Sequence, residues 1–136
     1  MADAPPYGHK DTSFKAAGQK DGILKLVRSF YKYMSQLEEA KRILQLHPDD
    51  LEVSIDKLYL FLCGWLGGPK AYREKYGPIR IPIAHRHIPI GTAERDAWML
   101  CMTKAVSEQD SWRQDFKDYF LREILVPANR VINQEK

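Results

Sequence analysis

Cysteine is scarce in this chain: two residues, Cys63 and Cys101, among 136. Each stands in a strongly apolar stretch of helical period, where cysteine behaves as a small hydrophobe. A disulfide framework is therefore not expected, and a cytoplasmic chain is. Long apolar runs are also missing. No window approaches the roughly 18 uninterrupted apolar residues of a membrane span, and residues 1–10 hold no apolar signal core. Nor is there an excess of one charge. The net charge is +3, and lysines and arginines alternate with acids along predicted helices without forming a basic stripe. Nucleic acid and membrane are thus not expected partners. Internal repeats and low-complexity segments are absent. Strand-like alternation is confined to Ile79-Arg80-Ile81-Pro82-Ile83, where Pro82 and nearby Pro89 remove ladder donors and no partner strand is visible.

What remains is helical, and the expected class is all-α. Residues 1–11, with Pro5-Pro6, read as a flexible N-terminal arm, and 12–136 as a single domain. A short helix is expected over 12–17, ended by Gly18. Asp21 then reads as the cap of a helix whose buried face carries Ile23, Leu24, Val27, Phe30, Tyr31 and Met34. A helical piece over 37–46 stops before Pro48. Asp49 or Asp50 caps the next helix, with Leu51, Ile55, Leu58, Phe61, Leu62 and Trp65 on one face, and Gly67-Gly68-Pro69 ends it. Residues 70–84 read mostly as loop. A long helix over 92–108 turns Trp98, Met99, Met102 and Val106 inward. Asp110 or Ser111 opens the last helix, where Trp112, Phe116, Tyr119, Phe120 and Ile124 share a face.

Two histidines, His85 and His87, lie between the strong helices. In a strand, His-x-His would turn both imidazoles to one face, a geometry that suits zinc. In a helical turn, residues two apart point about 200° away from each other, so only one could reach a given metal. A lone neutral imidazole on iron is the proximal ligation of a haem. Elsewhere, Tyr31 falls on a buried face, His47 ends a helix before Pro48, and Trp98 sits on an inner face. Taken singly, each reads as core packing or a helix cap. Together they offer a phenol, an imidazole and an indole N–H, all able to donate to a negatively polarised ligand.

The chain resembles the group II truncated haemoglobins. The residues that carry the resemblance are Phe30-Tyr31, His47-Pro48, Phe61-Leu62, Gly64-Trp65-Leu66-Gly67-Gly68-Pro69, His85, and Gly91 with Ala93-Glu94-Arg95-Asp96-Ala97-Trp98 and Cys101-Met102. It covers roughly residues 13–130. The resemblance implies a truncated globin, a two-over-two helical sandwich of two antiparallel pairs around one b-type haem. Ungapped matching forward from Pro69 and back from Trp98 places the iron ligand at His85. His87 takes that place only if two residues are lost before Gly91. Tyr31, His47 and Trp98 become distal donors and Ser54 a distal gate, with Leu58, Phe61 and Leu62 as pocket walls and Phe30 and Met102 as further haem contacts. Lys57, Tyr72 and Arg80 match positions near the propionates, and Ile88 one near the proximal face. Three departures are visible: the first glycine pair is reduced to Gly18-Gln19, Pro82 and Ala84 stand where arginines are frequent, and residue 47 is histidine where many relatives have tyrosine or phenylalanine.

The implied function is reversible binding of dioxygen and other diatomic ligands on ferrous iron, tightened by distal hydrogen bonds, with a reductase as a possible partner. Tyr31 or His47 is a candidate internal iron ligand when the distal site is empty. Peroxide or nitric-oxide turnover on the same scaffold is the alternative, and a zinc-binding or purely structural helical protein is a third class.

Overall fold

The computed structural model describes residues 7–78 and 88–133. All regular structure among them is helical. The helices are α1 (Thr12–Ala16), α2 (Gln19–Gln36), a 3-10 turn (Glu38–Ala40), α3 (Lys41–Gln45), α4 (Glu52–Trp65), α5 (Ala71–Tyr76), α6 (Thr92–Ser107) and α7 (Gln114–Arg130). Helix α2 packs on both α4 and α6, and α6 also packs on α7. The four long helices form the expected two-over-two sandwich.

The apolar spacing explains the packing. Ile23, Leu26, Val27, Phe30, Tyr31 and Met34 recur every three or four residues along α2 and are all buried. Leu26 takes the inward place expected of Leu24, which is only partly buried against the core. From α6 come the small side chains Ala97, Cys101 and Ala105 with Met102 and Val106, which let α2 approach closely. From α7 come Phe116, Phe120 and Ile124. Trp112 packs edge-on against Phe116 and Phe120, at centroid distances of 4.8 and 5.4 Å. Its indole N–H donates to the Ala17 carbonyl at 3.0 Å, tying the turn before α7 to the end of α1.

Several local expectations are corrected. Asp21 lies inside the first turn of α2, and Gly18, with φ 89°, precedes that helix. Gln19, where the second glycine is lost, is itself left-handed at φ 60°. Leu51, rather than Asp49 or Asp50, takes the cap position of α4, and Asp50 Oδ1 accepts the Glu52 amide at 3.0 Å from one residue further back. Residues 71–76, expected as loop, form α5, which buries no residue and so leaves no apolar stripe to read. Helix α7 starts at Gln114 behind Arg113, so neither Asp110 nor Ser111 caps it, and Trp112 precedes it. Of the flexible arm expected over residues 1–11, residues 1–6 lie outside the described residues and 7–11 lie against the body. The Tyr7 ring packs on Phe116 and Tyr119, and its hydroxyl donates to Asp115 at 2.9 Å.

The Gly67-Gly68 pair explains this docking. Gly67 adopts φ 97°, and the Gly68 amide closes the end of α4 by donating to the Cys63 carbonyl at 2.8 Å. A Cβ on Gly67 would overlap the Lys10 carbonyl oxygen, and one on Gly68 would overlap the Phe14 ring. The pair therefore ends α4 and also admits the N-terminal segment.

Candidate functional site

Between the helix pairs lies a cavity of about 670 Å³. Helix α4 contributes Ser54, Lys57, Leu58 and Phe61, the i, i+3, i+4, i+7 stripe of one helix face. Helix α2 contributes Tyr31, the turn after α3 His47, α5 Tyr72, and α6 Trp98, while Ile88 closes a further side. All of these were expected at the site from the sequence. Three other expected residues stand elsewhere. Phe30, Leu62 and Met102 are completely buried in the core and do not line the cavity. Phe30 acts from behind: its ring packs at 4.9 Å on Tyr31 and 5.0 Å on Trp98, fixing both. Arg80 and the histidines His85 and His87 lie outside the described residues.

A fourth wall was not anticipated. Ile124, Pro127, Ala128 and Val131 line the cavity from the end of α7 and just beyond it. They too follow the i, i+3, i+4, i+7 pattern, continuing the Phe116–Phe120–Ile124 face, so the signal was present. Ile43, Ile90 and Arg95 were likewise not anticipated. Arg95 is held by Asp96 at 2.7 Å and by the Asn129 side chain.

Polar groups are few and have distinct states. Tyr31 is 7% exposed, and burial pushes its phenol pKa upward, so it stays protonated through ordinary pH and remains a donor. Neither its hydroxyl nor the Trp98 indole N–H has a hydrogen-bond partner among the described residues. His47 differs. Its Nδ1 lies 2.8 Å from the Ile43 carbonyl oxygen. A carbonyl brings no proton, so Nδ1 must carry it, and the neutral ring then presents Nε2 as an acceptor. In that tautomer Tyr31 and Trp98 offer donors and His47 an acceptor, while the doubly protonated ring makes His47 the third donor that the sequence suggested. The His47 ring meets Tyr31 edge-on at 5.6 Å.

The cofactor implied by the resemblance is a flat, mainly apolar macrocycle with two acidic arms. A cavity of this size, walled by aliphatic and aromatic side chains, suits such a body. Lys57 and Arg95 supply cations on its walls. Lys57 is steadied by the Tyr76 ring, 5.2 Å from its Nζ. The residues present fit the group. Among the described residues no cluster of three or more His, Cys, Asp or Glu could hold a metal, and no helix is long and apolar enough to cross a membrane.

Comparison with known proteins agrees with this geometry. The bacterial-like globin family matches residues 12–124. The group 2 truncated hemoglobin YjbI of Bacillus subtilis (strain 168) is 27% identical over 121 residues, covering 89% of this chain and 88% of that one. Among solved structures, the group II 2-on-2 hemoglobin of Agrobacterium tumefaciens is 32% identical with a TM-score of 0.85, over 100% of both chains. A cold-adapted truncated hemoglobin from Pseudoalteromonas haloplanktis TAC125 is 29% identical with a TM-score of 0.85, over 90% of this chain and 98% of its own. The chain therefore belongs to the bacterial-like globins, as a haem- and gas-binding globin of the group II truncated haemoglobin type.

Proposed function

We propose that the cavity holds a b-type haem with His85 as its iron ligand, and that Tyr31 and Trp98 hold a dioxygen-sized ligand tightly. The observation that carries this reading is the pair of donors, without hydrogen-bond partners among the described residues, on the wall of a mainly apolar cavity. When bound, the haem iron supplies reversible coordination of the diatomic ligand. The chain's own residues do the rest. Leu58, Phe61 and Ile124 exclude water, which strengthens each hydrogen bond made inside. Lys57, Arg95 and the expected Arg80 offer charge to the acidic arms, with Tyr72 beside them. Arg95 thereby supplies a cation that Pro82 and Ala84 do not.

A hydrogen bond to a polarised ligand contributes about 1.5–3 kcal/mol, and ~1.4 kcal/mol is a factor of ten. Tyr31→Phe and Trp98→Phe are each expected to raise the oxygen dissociation rate about tenfold or more in stopped-flow measurement. Unchanged rates in both variants would overturn the reading. His85→Ala is expected to abolish the normal ferrous Soret spectrum while His87→Ala retains it; the reverse result would move the ligand by two residues. Slow release suits sensing, scavenging or redox chemistry in a reducing cytoplasm, and a redox role requires a reductase partner to return the iron to the ferrous state.

The His47 tautomer favours a second reading, turnover of peroxide or nitric oxide. Neutral His47 presents a proton acceptor at the cavity, the group that peroxide cleavage requires. It is also the internal ligand of choice for an empty distal site, since it need not lose a proton and the Tyr31 phenol must. Steady-state peroxide consumption with a reductant, compared between the natural protein and His47→Phe, separates this reading from simple gas binding.

A further inference from the structure

The chain beyond α7 is anchored in a way that the helices do not require. Asn133 makes three hydrogen bonds to a single short strip. Its backbone amide donates to the Ile90 carbonyl at 2.8 Å. Its side-chain Oδ1 accepts the Ile90 amide at 2.9 Å. Its Nδ2 donates to the Ile88 carbonyl at 2.7 Å. The strip is non-helical, and Pro89 within it has no N–H to offer. One asparagine therefore serves both carbonyls that flank Pro89 and the next available amide.

The other end of the strip is held separately. The Gly91 amide donates to Glu94 Oε1 at 2.7 Å, and Glu94 Oε2 accepts from Arg42 Nε at 2.7 Å. Those bonds open helix α6 and tie it to α3. The bonds to Asn133 open no helix. They fasten Ile88 and Ile90, two wall residues of the cavity, to the C-terminal end of the chain. Val131, two residues before Asn133, lines the same cavity.

We propose that Asn133 is a positioning residue for the haem site. It clasps residues 88–90 and so sets where Ile88 and Ile90 stand as walls of the cavity. This role rests on the proposed haem site. Asn133 does not line the cavity, and acts through Ile88 and Ile90.

The test uses the full-length holoprotein with Asn133→Ala and Asn133→Asp. Asn133 is exposed, so neither change threatens the core. Four quantities are measured: Ile90 amide exchange by NMR, haem transfer to an excess of apoglobin scavenger, the Fe–His stretch of the ferrous protein by resonance Raman, and the melting temperature. In Asn133→Ala, Ile90 exchange and haem loss are expected to rise about tenfold, equivalent to ~1.4 kcal/mol. The Fe–His band should shift or broaden while the melting temperature stays within a few degrees. Asn133→Asp keeps the acceptor for the Ile90 amide and loses the donor to Ile88, so its Ile90 protection should persist and its haem loss fall between the other two. If haem loss and the Fe–His band in Asn133→Ala stay as in the natural protein, whether or not Ile90 exchange rises, the positioning role is overturned alone. A natural chain that takes up no haem overturns the haem reading, and this role with it.

Discussion

At the scale of single residues, two kinds of side chain can be told apart by what burial does to them. Tyr31 and Trp98 are apolar bodies with one donor each, supported from behind by Phe30. Periodicity turns them inward, but periodicity alone does not separate a wall from a core. Phe30, Leu62 and Met102 carry the same inward signal and have no exposed surface, whereas Leu58, Phe61 and Trp98 stay partly exposed because they face a cavity. The tautomer of His47 was illegible for another reason: it is set by the Ile43 carbonyl one turn earlier, a contact that exists only once α3 has formed. Gln19, by contrast, could be noticed in the sequence as a lost glycine. Its backbone sits at φ 60°, a conformation that costs about 1–2 kcal/mol outside glycine. Gln19→Gly is expected to stabilise the fold by about 0.5–1 kcal/mol, the strain relieved less the added unfolded-state entropy of glycine. Thermal unfolding should register a rise of a few degrees; a fall would show that the Gln19 side chain contributes more than its backbone costs.

At the scale of elements, the long helices were legible because each has a continuous apolar face, and α5 was not because it has none. Its place is set instead by contacts made across the turn. Lys75 Nζ and the Tyr76 hydroxyl both donate to Asp56 on α4, at 2.7 and 2.6 Å. These donors hold the Asp56 carboxyl below its ordinary range. No sequence pattern within 71–76 announces that pairing. The end of α4 was legible from Gly67-Gly68-Pro69, yet its second use was hidden, since the partner of the glycines is the segment Lys10–Phe14, far away in the chain. Gly67→Ala would meet both a left-handed backbone and the Lys10 carbonyl. It is expected to destabilise the protein by about 2 kcal/mol or more, measured by urea unfolding. Tyr7 should also lose its packing on Phe116, read as a change in near-ultraviolet circular dichroism. An unaltered midpoint in that variant would mean that the N-terminal segment is not held there.

At the scale of the whole molecule, one carboxylate joins the two helix layers. Glu108, at the end of α6, accepts from Ser29, Tyr33 and Lys32 of α2, at 2.5, 2.7 and 3.3 Å. The Ser29 and Tyr33 hydroxyls, with Lys32, lower its pKa from 4.5 to about 2. Because the folded value lies below the unfolded one, this contribution is complete above pH 4.5 and is lost as pH falls towards 2. Unfolding midpoints followed from neutral pH to pH 2 should therefore drop, and Glu108→Gln should flatten that acid limb. An identical limb in the variant would assign acid sensitivity elsewhere. A last consequence follows from the two buried cysteines. Desolvation raises the Cys101 thiol to about 11 and moves Cys63 in the same direction. At neutral pH the thiolate fraction of Cys101 is then on the order of one in ten thousand, and the thiolate is the form that oxidants attack. A gas-binding globin thus carries its sulfur in an inert state, and native samples should resist thiol reagents until they unfold.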